Sequence, residues 1–170
     1  MKTRKTLVTL TICILLALTT TFFVNLHEVL ANPIIDCRKL VTGTYLVTAS
    51  GDFGLFRAII TYTQDGNLVT SASNQSGIPS VQPFGNVQGS WKCTSDREIA
   101  ATELNFDYPT ATLPGRITRT DLHATFDPLT GMVQATGILR FFNLKANPLN
   151  DHAPVAGTFT FTGQRVKPGE

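Results

Sequence analysis

Apolar and polar residues alternate along most of this chain beyond residue 42, with a period of two that marks half-buried strands. Eight segments carry it. They are Gly43 to Ala49, Leu55 to Thr63, Leu68 to Ser73, Asn86 to Cys93, Glu98 to Asp107, Arg116 to Phe126, Met132 to Phe142 and Val155 to Val166. Turn residues separate them. Ser50-Gly51-Asp52 and Ser95-Asp96-Arg97 are short turns, and Gln64-Asp65-Gly66-Asn67 carries the Asp-Gly hairpin signal. Asp127-Pro128-Leu129-Thr130-Gly131 sets Pro and Gly where turn geometry uses them. Longer loops run from Asn74 to Gly85 and from Asn143 to Pro154, and Pro109 and Pro114 bracket another. No window shows a convincing helical stripe, although the N-terminal arm or a long loop has room for one short turn of helix.

This order predicts an all-β domain, an eight-stranded antiparallel up-and-down barrel, with a two-sheet β-sandwich of the same strands as the alternative. The alternation also assigns faces. Phe56, Ala58, Ile60 and Tyr62, then Leu104 and Phe106, Leu122, Ala124 and Phe126, Leu139 and Phe141, and Phe159 and Phe161 make one apolar interior face. Arg57, Glu103, Asn105, Arg119, Asp121, His123 and Thr158, Thr160 and Thr162 fall on the opposite, wet face.

The first 31 residues change the setting. Lys2, Arg4 and Lys5 precede an uncharged apolar, threonine-rich run from Leu7 to Val24, and Val29-Leu30-Ala31 suits a signal peptidase. We read 1–31 as a signal peptide, 32–42 as an N-terminal arm, 43–166 as the barrel domain and 167–170 as a tail. An uncleaved anchor is the alternative. The expected location is secreted or periplasmic, with no membrane span left after cleavage. Three of the 14 basic and one of the 12 acidic residues lie in 1–31, so the remainder balances at 11 and 11. That balance argues against a nucleic-acid partner, which needs a cationic surplus to displace counterions.

Cleavage also removes Cys13 and leaves Cys37 and Cys93. An oxidising compartment favours a disulfide between them, with two unpaired cysteines as the alternative. The loop so closed has about 57 residues, worth roughly 4 kcal/mol of chain entropy.

Gly43-Thr44-Tyr45, Gly89-Ser90-Trp91 and Gly157-Thr158-Phe159 each place Gly two residues before an aromatic. Opening the first strand of an eight-stranded meander with Gly43-Thr44-Tyr45 resembles the calycin group, the lipocalins and their relatives. There a basic residue of the last strand packs over that aromatic, which on this resemblance is Arg165. The layout also resembles allene oxide cyclase and dirigent barrels and small bacterial exported proteins.

Catalytic signatures are sparse. The mature part holds two histidines, His123 and His152, and no His-x-His, His-Glu-x-x-His or multi-Cys set, so no metal site is expected. There is no Gly-x-Ser-x-Gly elbow and no phosphate-cradling loop, and no cofactor is implied. Arg119, Asp121 and His123 share one strand face, and Glu103, Asn105 and Asp107 another; solvated outer surface is the plainer reading of both sets. The functional expectation is a non-enzymatic binder of a small apolar ligand or a protein partner, with Tyr62, Trp91, Phe106, Phe126, Phe141 and Phe159 as candidate lining. The second reading is an enzyme of the allene oxide cyclase kind, with Glu103, Arg119 and His123 as candidate catalytic groups. The third is a structural or adhesive surface protein that makes contacts through its two long loops.

Overall fold

In the computed structural model, residues 36–79 and 81–169 are described; the signal-peptide reading of 1–31 lies outside them. Among the described residues eight strands follow one short helix. The helix α1 is Cys37–Val41, and the strands are β1 (Gly43–Gly51), β2 (Gly54–Tyr62), β3 (Asn67–Ala72), β4 (Val87–Cys93), β5 (Glu98–Asp107), β6 (Arg116–Phe126), β7 (Met132–Asn143) and β8 (Val155–Arg165). Each pairs antiparallel with its chain neighbour, and β8 pairs with β1 from Tyr45 opposite Arg165 to Gly51 opposite Phe159. That last pairing closes the barrel, excludes the two-sheet sandwich and leaves no open sheet edge.

One end of the barrel is solid. Tyr45, Tyr62 and Phe126 meet edge to face in a triangle with ring centroids 5.4–5.8 Å apart, and Trp91 adds a fourth ring 6.0 Å from Tyr62. Perpendicular contacts of this kind suit the aromatic quadrupole and bury large side chains together. Leu68, Ile99 and Val133 fill the spaces around them, and Val41 of α1 is fully buried against this end. Asp36 caps the helix by accepting from the Arg38 amide, and Arg38 Nη1 donates to the Gln64 carbonyl at 2.8 Å. The disulfide forms between Cys37 and Cys93, tying α1 to the end of β4.

Arg165 is the clasp of this end. Its guanidinium lies over the Tyr45 ring, donates to the Tyr45 hydroxyl at 2.8 Å and also reaches the Leu40 carbonyl. Gly43 makes the approach feasible, since it adopts φ +148° and a Cβ there would stand 3.3 Å from the guanidinium carbon. Burial pushes the Tyr45 phenol above its ordinary pKa, and Arg165 partly opposes this. Arg165→Met is expected to remove the charged donor from both the Leu40 carbonyl and the Tyr45 hydroxyl, leaving the weaker bond from that hydroxyl to the carbonyl at 3.2 Å. The cost should be about 2 kcal/mol in urea unfolding. An unchanged midpoint would reduce the clasp to an incidental contact.

The predicted faces hold for β2, β6, β7 and β8, with Arg57, Arg119, Asp121, His123 and the threonines of β8 outside and Leu139 and Phe141 of β7 facing the interior. On β5 they are reversed. Ile99, Ala101, Glu103, Asn105 and Asp107 are buried, while Phe106 is 61 % exposed. Both faces of β5 carry apolar residues, so alternation alone is ambiguous there. Ile99 and Ala101 join the packed core, and the period of two then carries Glu103, Asn105 and Asp107 inward.

Candidate functional site

The other end of the barrel is hollow. A cavity of about 120 Å³ lies between the packed aromatic floor and the loops. Its apolar wall comes from β1, β2, β7 and β8, including Val47, Ile60, Phe56, Phe141, Phe159 and Phe161. Small residues provide the space: Ala49 and Ala58 line the same wall, and Ala72 of β3 adjoins it. Phe53, in the turn between β1 and β2, contributes at the mouth with its ring 6.2 Å from that of Phe141. The turn is held to β8, because Asp52 accepts from the Thr158 amide at 2.8 Å. The segment between β3 and β4 contributes Val81, Gln82 and Phe84 to the lining. Gln82 secures it by donating to the carbonyls of Tyr108 and Pro114, at 2.5 and 3.0 Å.

The opposite wall is polar, and strand register explains its order. Across the β5–β6 ladder Glu103 faces Thr120, Asn105 faces Thr118 and Asp107 faces Arg116. Arg116 Nε donates to Asp107 at 2.6 Å, Thr118 donates at 3.0 Å, and Asn105 Nδ2 donates to the second oxygen at 2.7 Å. Asp107 is therefore fully engaged. The Arg116 guanidinium also covers the Phe141 ring, 3.3 Å from its centroid.

Glu103 is buried, and among the described residues no cation pairs with it. Thr70 Oγ1 donates to its Oε1 at 2.8 Å, and Gly89, which pairs with Glu103 across the β4–β5 ladder, leaves no room for a Cβ, which would fall 2.1 Å from the Thr102 carbonyl oxygen. Burial pushes the Glu103 carboxyl up to about 7, and the Thr70 hydrogen bond only partly opposes it. Tyr62 is also raised, chiefly by burial and then by the Glu103 charge.

The sequence candidates thus separate. Glu103 lines the cavity, whereas Arg119 and His123 lie outside. Arg119 pairs with Asp121 at 2.9 Å and donates to the Pro148 carbonyl, and Arg140 completes the cluster at 2.7 Å from Asp121. This arrangement pins the loop between β7 and β8. Among the aromatic candidates, Phe141 and Phe159 line the cavity. Tyr62, Trp91 and Phe126 belong to the packed floor, and Phe106 faces solvent. Sequence reasoning missed Arg116, Asn105, Asp107, Thr118 and Thr120 as inner-wall residues. The signal available was Thr118 and Thr120 sharing strand parity with Leu122 and Ala124. Among the described residues no group of three or more His, Cys, Asp or Glu side chains is placed to hold a metal ion.

These features define a closed eight-stranded antiparallel barrel with one packed end and an amphipathic cavity at the other. No protein-family model and no curated protein matches the chain. Among solved structures it is similar to a redesigned beta barrel, at 16 % identity and a TM-score of 0.43, over 80 % of this chain and 100 % of that one. No calycin or allene oxide cyclase membership follows. What stands of the resemblance is the eight-stranded antiparallel barrel, and it rests on the strand pairing.

Proposed function

We propose that this protein is an exported, non-enzymatic binder of a small molecule with an apolar body, held inside the barrel. The cavity carries the reading: its wall of Phe56, Phe159, Phe161, Ile60 and Val47 is built around alanines that leave space unfilled. A void of about 150 Å³ with such a lining holds a single benzene-sized ring, so about 120 Å³ suits a ligand of that scale. The disulfide is consistent with an oxidising compartment. Solvent extraction of the purified protein, followed by mass spectrometry and calorimetric titration with one-ring ligands, tests it. We expect a retained or titratable ligand, and loss of binding in Ala58→Leu, which fills the cavity. A protein that retains nothing and binds none of these ligands would end the reading.

One observation favours an enzymatic second reading. Glu103 is a buried carboxyl poised to exchange a proton near pH 7, as a general acid or base requires. Under this reading a cyclase or isomerase would use Glu103 without Arg119 or His123. Glu103→Gln would then abolish turnover of the extracted ligand and leave its binding intact.

A further inference from the structure

We infer that the ligand bears a protonated amine on its apolar body, and that Glu103 is the group that receives it. This inference rests on the ligand-binding reading above and adds the chemistry of the head group. The charged side chains lining the cavity are Glu103, Asp107 and Arg116, contributed by β5 and β6. Tyr62, from β2, lies in the floor and carries a neutral phenol. Arg116 and Asp107 neutralise one another at 2.6 Å. Among the described lining residues Glu103 is left as the charge-bearing group without a counter-ion, 5 % exposed and hydrogen-bonded by Thr70. An isolated carboxylate in such a place is costly unless it is protonated or meets a cation.

A ligand ammonium supplies that cation. The Thr120 side chain, directly across the ladder from Glu103, stands beside it on the same wall. The rings of Phe56, Phe159 and Phe161 favour a cation and its apolar stem alike. An anionic head group would find no free positive charge, since the Asp107 carboxylate occupies Arg116. A neutral alcohol would gain a hydrogen bond without the charge pairing.

Calorimetric titration of the full protein at pH 7.5 with benzylamine, benzyl alcohol, benzoate and toluene tests this. These ligands share one ring and differ in head group. Benzylamine is expected to bind at least about tenfold more tightly than benzyl alcohol, as a charge-assisted hydrogen bond implies, with benzoate weakest. Glu103→Gln should remove the amine preference, bringing benzylamine to within about threefold of benzyl alcohol in the same variant. If benzyl alcohol or toluene binds and benzylamine binds no better, the head-group assignment fails while the cavity reading survives. The assignment fails equally if the Gln variant keeps the preference. If none of the four binds, the cavity reading itself fails. Should the variant not fold, the wild-type ranking decides alone.

Discussion

Replacing Cys37 and Cys93 together by alanine is expected to destabilise the barrel by about 4 kcal/mol. The bond spans 56 positions of sequence and encloses β1, β2, β3 and β4. Without it, the unfolded chain regains the freedom of that whole loop. The folded state loses a second restraint, because α1 is only five residues long and too short to hold its position alone. Val41, fully buried against Tyr45 and its neighbours, depends on that position. Thermal unfolding should shift down by on the order of 10 °C, and reduction of the native protein should reproduce the shift. Coincident melting curves for wild type and variant would show that the helix and its clasp by Arg165 suffice.

Glu103→Gln is expected to make the protein more stable above pH 7, by about 3 kcal/mol. The Glu103 carboxyl titrates near 7 when folded, against an ordinary value of 4.5. Below pH 4.5 both the folded and unfolded chains hold the proton, and the wild type carries no penalty. Between 4.5 and 7 the unfolded chain has released it while the folded one retains it, so each pH unit weakens folding by about 1.4 kcal/mol. Above 7 both are ionised and the penalty is complete. Glutamine never ionises, and taking the difference between the two proteins cancels every other titrating group. Urea unfolding of both from pH 4 to 8 measures this directly. Parallel stability curves, or a wild type that gains on its variant as pH rises, would show that Glu103 is not desolvated in the folded protein.

The same residue marks where sequence reasoning stopped. Glu103, Asn105 and Asp107 alternate with Leu104 and Phe106, and composition alone favours sending the charges outward. The fold does the reverse because Ile99 and Ala101 share their parity and belong to the packed end, and a strand cannot change face without a bulge. The polar wall is tolerated inside because Arg116, Thr118 and Thr70 come to it from β6 and β3. Those encounters bring together residues up to 33 positions apart, which local alternation does not report.

By itself the sequence determined the number of strands, their antiparallel order, the hairpin at Gly66 and the outward face of Arg119 and His123. Each follows from a period of two and from turn chemistry, both local properties of a chain. Only the tertiary structure decided that β8 closes on β1, that one end fills with Tyr45, Tyr62, Trp91 and Phe126, and that the other stays hollow around Glu103. Closure and filling depend on how side-chain volumes from distant strands add up in a shared interior, and no single segment carries that sum.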